Sequence, residues 1–139
     1  MKIILQLVPL MFCVSACMTT PTAEIDYSGL GDSIVGTTVH HSIFLSESTV
    51  KRAVYRLVNS QEVLQSKDRA SVLHSMGFNC SNYPSESCKY DGYAKGVFKN
   101  LDNRTVSRIK REVHVEAIIR VKEIEVSTRV VETKFNERK

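Results

Sequence analysis

Apolar and polar residues alternate with a period of two through the second half of the chain, which is typical of half-buried β-strands. One run covers residues 88–98, where Gly92 and Gly96 predict a bulge or a close backbone approach. A longer run begins at Ile109 and places its apolar side chains on one face: Ile109, Val113, Val115, Ala117, Ile119 and Val121. Polar side chains share the other face: Lys110, Glu112, His114, Glu116 and Arg120. The pattern predicts two antiparallel strands joined by a turn at residues 100–103, where Asn and Asp favour a tight turn.

A third strand is predicted because the apolar parity changes at Lys122-Glu123. A hairpin with this two-residue loop sets Val121 opposite Ile124 and keeps both apolar rows on one face. The same register brings together two pairs of opposite charge: Arg120 with Glu125, and Glu116 with Arg129. A four-residue loop would keep the parity and lose both charge matches. We therefore predict a three-stranded antiparallel meander with its last turn at Lys122-Glu123.

Two helices are predicted ahead of the strands. The first begins at Ser48, which can cap it, and its apolar residues recur at helical spacing: Val50, Val54, Leu57 and Leu64. The second begins after Ser66, whose hydroxyl can cap free amides while Asp68 lies in the first turn. Gly77 is expected to end it in a left-handed conformation, with Phe78 folding back onto the helix.

The N-terminus reads as an export signal, because an apolar run follows Met1-Lys2 and ends in Val14-Ser15-Ala16-Cys17. The run is shorter than the roughly 20 apolar residues that cross a bilayer. The small-small-Cys ending resembles the lipobox of bacterial lipoproteins. This resemblance implies cleavage before Cys17 and lipidation of its thiol, with palmitate as the expected label. Met18, in place of an Asp, implies the outer membrane by the same resemblance. An ordinary signal peptide cut after Ala16 stays open as the alternative.

The chain is accordingly divided into three parts. Residues 1–16 are predicted to be a signal peptide and residues 17–42 a lipid-anchored tether, because the latter show no sustained hydrophobic period. Residues 43–139 are predicted to form a small α+β domain, with two helices packed on the three-stranded antiparallel β-meander.

Cys80 and Cys88 remain after Cys13 leaves with the signal and Cys17 is lipidated. An even pair in an exported chain predicts a disulfide, and Tyr83 and Pro84 in the enclosed loop are candidate binding residues. A metal pair is the alternative, although the spacing is not a familiar zinc spacing. It is not the C-x-x-C of a redox pair either.

Charge and motifs exclude several functions. One of the 19 basic residues lies in the signal peptide. The mature chain therefore has 18 basic and 15 acidic residues, which gives a net charge of +3. Without a basic block, nucleic acid is not an expected partner. The chain lacks a G-x-S-x-G elbow and a phosphate-binding glycine loop, and nothing in the spacing joins its four histidines. We expect no catalytic residues, metal or cofactor, and therefore a protein that is not an enzyme.

The order of two helices followed by three strands resembles that of small outer-membrane lipoproteins. The helix-start motif of that group is absent, so its partners and binding residues are not transferred. The sequence predicts a non-enzymatic lipoprotein of the cell envelope that faces the periplasm, held by its lipid anchor to the membrane. Its expected role is to bind an envelope protein partner or to support envelope assembly. The alternative is an inhibitor or small-ligand-binding module that uses the Cys80–Cys88 loop.

Overall fold

A computed structural model of the protein describes residues 22–81, 87–99 and 106–135. The predicted signal peptide, Cys17, Tyr83 and Pro84 lie outside these residues. The strands are β1 (Thr22–Asp26), β2 (Asn79–Cys80), β3 (Ser87–Lys99), β4 (Val106–Ile119) and β5 (Ile124–Lys134). The helices are α1 (Ile34–His40), α2 (Glu47–Val58), α3 (Gln61–Gln65) and α4 (Arg69–Ser75), and Ser28–Leu30 forms one 3-10 turn. None of these described helices has the length and apolar character needed to cross a membrane.

The strands form one antiparallel sheet in the order β1-β3-β4-β5, with the helices on one face, so the α+β class is confirmed. Strands β3, β4 and β5 are the predicted meander. The outer edge of β3 is shared by two strands that the sequence did not predict. Strand β1 pairs with its C-terminal part, from Thr22 opposite Lys99, and β2 pairs with its N-terminal part, from Asn79 opposite Lys89.

Residues 22–42 are ordered, which corrects the expectation that residues 17–42 form a tether. They contribute β1, the 3-10 turn and α1, and Leu30, Val35 and Val39 are buried in the core. The Ser33 hydroxyl caps α1 by accepting a hydrogen bond from the Gly36 amide at 3.1 Å. A five-residue strand and a seven-residue helix are too short to produce a sustained hydrophobic period, which is why the sequence pattern did not reveal them.

The part of the chain that the structure describes contains four helices where the sequence predicted two. The first predicted helix is split, because α2 ends at Val58 and α3 begins at Gln61. Its cap is Ser46 instead of Ser48, since the Ser46 hydroxyl accepts from the Thr49 amide at 3.2 Å. At this break the Asn59 side chain donates to the Tyr55 carbonyl of α2 at 3.1 Å and also reaches the sheet.

Helix α4 begins later than the predicted cap and ends where the sequence indicated. Asp68, rather than Ser66, caps it by accepting from the Ser71 amide at 3.0 Å. At the other end Gly77 has a φ of 103°. The Phe78 amide donates to the Leu73 carbonyl at 3.1 Å, and the Phe78 ring is buried in the core. This is the predicted glycine stop.

The core lies between the helices and the inner face of the sheet, which is the face that the predicted apolar rows form. Helix α2 contributes Val50, Val54 and Val58, and all three are fully buried. The sheet contributes buried residues from three strands: Cys88, Tyr90, Ala94, Val113, Val115, Ala117, Ile124 and Val126. The Tyr90 hydroxyl donates to the Leu30 carbonyl at 2.7 Å, and its burial raises the pKa of Tyr90 to about 12. A side chain at Gly92 would meet this hydroxyl at 2.6 Å, so the Tyr90 side chain fills the space beside Gly92, and the pairing of β3 with β4 continues there without the bulge or the close backbone approach expected from the sequence.

The last hairpin has the predicted parity but a different register. Ile119 pairs with Ile124, so the loop has four residues and Glu116 faces Ser127 instead of Arg129. Val121 lies in this loop and is 91% exposed. Arg120 still lies 3.3 Å from Glu125, although the two are not directly opposite.

The helices explain this register, because they hold the loop by its backbone. Asn59 donates to the Ile124 carbonyl at 2.9 Å and accepts from the Ile124 amide at 2.8 Å. Arg69 donates to the carbonyls of Arg120 and Val121 at 2.7 and 3.2 Å. These contacts join residues more than 50 positions apart. They outweigh the one charge pair that the observed register gives up, Glu116 with Arg129, which would be worth a few tenths of a kcal/mol.

Candidate functional site on the outer sheet face

The candidate site lies on the outer face of the sheet, which we define as the face turned away from the helices. No side chain that the structure describes on this face is buried, and none of the described helices packs against it. Strand alternation places polar residues here because their neighbours in sequence fill the core. Lys89 and Asp91, for example, flank the buried Tyr90 in β3.

Two cross-strand rows of charged and polar residues form a shallow groove of about 380 Å³ on this face. One row runs across β3, β4 and β5 as Lys89, Glu116 and Ser127. The next row runs as Asp91, His114 and Arg129. Acidic and basic residues are neighbours in both rows, so the groove offers donors and acceptors side by side.

Within the groove, one contact is short and one is long. His114 Nδ1 lies 2.6 Å from Asp91 Oδ1, which is a direct hydrogen bond. Lys89 Nζ lies 4.0 Å from Glu116 Oε1, at the limit of an ion pair. Arg129 makes no ion pair with any residue that the structure describes. Its guanidinium therefore remains available for a bidentate contact with a carboxylate.

The groove continues to the base of the disulfide loop. A second depression shares Lys89 and Asp91 with the groove and adds Asn79, Ser81 and Ser87. The disulfide lies beside it, because Cys80 and Cys88 are directly opposite each other in β2 and β3 and their sulfur atoms are joined. The predicted disulfide is thus present in the structure. Tyr83 and Pro84, the predicted contacts of this loop, lie outside the described residues.

The four histidines do not converge on the groove. His114 alone lines it, whereas His40 stacks on Tyr27 and His41 stacks on His40. His74 Nδ1 lies 3.2 Å from the Phe78 carbonyl at the end of α4. Among residues 22–81, 87–99 and 106–135, no group of three or more His, Cys, Asp or Glu side chains could hold a metal ion.

The β5 edge of the sheet is partly blocked by helix α2 and the residue that follows it. Asn59 bonds both backbone groups of Ile124, and Glu47 accepts from the Val130 amide at 2.9 Å. Side chains that occupy edge amides prevent another strand from pairing there. The groove on the outer face is therefore a better candidate for recognition than the edge of β5.

Sequence reasoning missed the groove because it treated the polar face of β4 as a solvated surface of paired charges. In the predicted register, Arg129 lies opposite Glu116 and is neutralised. In the structure Arg129 lies opposite His114. A sequence signal exists, since the alternation identifies the face, but only the true register shows which charges are adjacent.

No protein-family model, curated protein or solved structure matches this chain. The groove, the distribution of charge and the N-terminal motif are therefore the features that bear on its function.

Proposed function

We propose that this chain is a non-enzymatic lipoprotein of the cell envelope that binds a protein partner through the groove on its outer sheet face. Lipidation at Cys17 would hold it in the outer membrane, facing the periplasm, as an accessory to an envelope assembly. The lipobox resemblance supports the anchor. The groove supports the binding role.

The observation that carries the binding role is the shape of the groove and its charge. Sites for small molecules enclose most of the ligand surface and are lined mainly by apolar side chains. This groove is open along two strand rows and is lined by residues of both charges, with Arg129 unpaired among the described residues. Such a surface fits charged side chains of a folded partner, because complementary charges give register and specificity.

Its hydrogen bonding also favours binding over catalysis. A nucleophile activated by a histidine normally lies within hydrogen-bond reach of the ring. In the part of the chain that the structure describes, His114 is bonded to Asp91, and no hydrogen bond joins it to the Ser127 hydroxyl. The pair therefore serves to fix the charge pattern of the groove.

The alternative is an inhibitor or small-ligand module centred on the Cys80–Cys88 loop. The depression formed by Asn79, Ser81 and Ser87 favours it, because this depression opens directly beside the loop. The soluble domain would then inhibit an envelope enzyme, such as one that degrades the cell wall, without any membrane partner.

Site-specific photo-crosslinking in cells tests the groove. A crosslinking amino acid at Ser127 should give one defined adduct, whereas the same residue at Arg52, exposed on α2, should give none. Arg129→Glu should abolish the Ser127 adduct, and the matched change Arg56→Glu on α2 should leave it intact. Equal adducts from Ser127 and Arg52, or an adduct that is insensitive to Arg129→Glu, would contradict the proposal. Enzyme inhibition by the protein in the absence of adducts would favour the alternative.

A further inference from the structure

The chain enters the fold at one end of the sheet, opposite the groove. Thr22 is the first residue of β1 and pairs with Lys99, the last residue of β3. Cys17 lies only five residues before Thr22, and five extended residues span at most about 18 Å. A lipid on Cys17 would therefore hold this end of the sheet close to the membrane surface.

We call this region the basic end and define it as residues 22–26, 95–99, 106–110 and 133–135, which form adjacent rows of the sheet. It carries five basic and two acidic side chains. The remaining described residues carry ten of each sign. The whole net positive charge of the described chain thus lies at the end where the chain enters.

The apolar side chains of the basic end are incompletely covered on both faces. Phe98 and Ile109 on the inner face are only half-buried. Val97 and Phe135 on the outer face are half-buried, and Val106 is 38% exposed. Buried side chains dominate the same strands where the helices cover them.

Basic and apolar groups are interleaved at this end. Lys95 Nζ lies 6.0 Å from the centre of the Phe135 ring and 5.9 Å from that of Tyr93. The one ion pair of Lys99 within the described residues is long, at 3.9 Å to Glu24. Lysines of this kind can lay their aliphatic stems along apolar surface and extend their ammonium groups to lipid phosphates.

We propose that the basic end docks on an anionic lipid surface. The inference rests on the proposed anchor at Cys17, which brings this end to the headgroups. Docking in this way would set the strands upright on the membrane surface and place the groove at the far end of the sheet. Asp91 lies eight residues along β3 from Lys99, so the groove is raised by about 26 Å above the docked end.

Tryptophan fluorescence can test this orientation, because the chain contains no Trp. A single indole is introduced into the full chain, either as Val106→Trp in the basic end or as Val121→Trp in the opposite hairpin loop. The protein is bound to vesicles of phosphatidylethanolamine and phosphatidylglycerol that contain brominated lipid. The indole of Val106→Trp should be quenched and blue-shifted, and that of Val121→Trp should be neither. Phe135→Trp provides a second probe of the same end if Val106→Trp fails to fold.

Charge variants separate docking from anchoring. Lys95→Gln, Lys99→Gln and Lys134→Gln together should remove the quenching of Val106→Trp, because each lysine near an anionic surface favours the docked state by about fivefold, or roughly a hundredfold for three. The matched control is Lys51→Gln, Arg52→Gln and Arg56→Gln on α2. This control variant should keep the quenching of Val106→Trp. Quenching should also fall in vesicles of phosphatidylcholine and at high salt.

The outcomes distinguish this inference from the proposed function. Vesicle-bound protein in which the Val106→Trp and Val121→Trp probes are quenched equally, or in which both triple variants behave alike, overturns the docking and leaves the anchor. Quenching of Val106→Trp without palmitate on Cys17 in cells overturns the anchor and keeps the docking. Absence of quenching on vesicles together with absence of palmitate on Cys17 in cells overturns both. An indole at position 106 that is shielded equally without lipid would indicate a protein occupant and would also overturn the docking.

Discussion

The side chain of Asn59 connects the helical layer to the last hairpin. It leaves the end of α2 and satisfies both the amide and the carbonyl of Ile124, as a neighbouring strand would. Both hydrogen bonds are partly buried, so water cannot fully replace them. One amide side chain therefore helps to decide which residues of the hairpin enter the core.

Asn59→Ala should lower the free energy of unfolding by about 2–3 kcal/mol, because it leaves two backbone groups without partners. Gln61→Ala, exposed at the start of α3, is the control and should change it by less than about 0.5 kcal/mol. Urea unfolding followed by circular dichroism measures both. Equal midpoints for the two variants would show that Asn59 does not hold the hairpin.

Two glycines with positive φ allow backbone strain to be separated from packing. Gly77 has a φ of 103°, and a Cβ there would lie 2.3 Å from the Cβ of Ser33. Gly31 has a φ of 69°, and an added Cβ would have no atom within 4 Å. Only the first position combines an unfavourable conformation with a clash.

Gly31 has a φ of 69° and a ψ of 173°, a backbone region that is essentially restricted to glycine, so Gly31→Ala should destabilise by about 1–3 kcal/mol through the backbone alone. Gly77→Ala should lose at least about 1 kcal/mol more, because Ser33 caps α1 and its position is fixed by that hydrogen bond. Thermal unfolding of the two variants gives the difference directly. A Gly77→Ala variant as stable as Gly31→Ala would mean that α1 and the loop after α4 are not in close contact.

At the scale of elements, the sequence predicts the features that depend only on residues close together in the chain. The faces of β3, β4 and β5 are predictable because alternation is local, and the end of α4 is predictable because Gly77 determines it. The register of the last hairpin is not predictable in this way, since Asn59 and Arg69 fix it from distant positions. Strand β1 and helix α1 could not be predicted for another reason, because each is too short to show a hydrophobic period. The groove could not be predicted either, because its charge pattern depends on the register.

Paired cysteines test the register. Glu116→Cys with Ser127→Cys joins residues that are directly opposite in the structure. Glu116→Cys with Arg129→Cys joins residues that would be opposite in the register predicted from charge alone. Mild oxidation should crosslink the first pair readily and the second poorly, because a disulfide requires Cα atoms no more than about 7 Å apart. Mass spectrometry of the digested protein identifies the bond, and the reverse preference would overturn the observed register.

The Cys80–Cys88 disulfide fixes β2 to β3 beside the groove. Cys80→Ala with Cys88→Ala should lower the free energy of unfolding by about 2.5 kcal/mol, because it frees a short loop in the unfolded chain. Reduction of the natural protein should have the same effect, and it should have none on the double variant, which serves as the control. Alkylation of the folded protein without reductant should modify neither cysteine. Ready alkylation of either would contradict the disulfide in solution.

On the scale of the whole molecule, the two ends of the sheet differ in composition. The basic end carries the excess of positive charge and receives the chain from Cys17, whereas the groove has charges of both signs and lies beside the disulfide. The proposed function places attachment at one end of the sheet and recognition at the other, an arrangement that a short lipid anchor would favour. It lets the partner approach without a clash with the membrane.

The anchor itself gives the last prediction. Cys17→Ser should abolish incorporation of labelled palmitate and release or stall the protein, because no other residue of the lipobox can carry the acyl chain. Cys13→Ser, inside the predicted signal peptide, is the matched control and should leave labelling intact. Met18→Asp should retain a labelled protein in the inner membrane, separated by density gradient, since Asp after the lipidated Cys is the retention signal that the resemblance implies. Unchanged labelling and pelleting of Cys17→Ser would remove the anchor from the proposal and leave a secreted domain whose groove must act without a membrane.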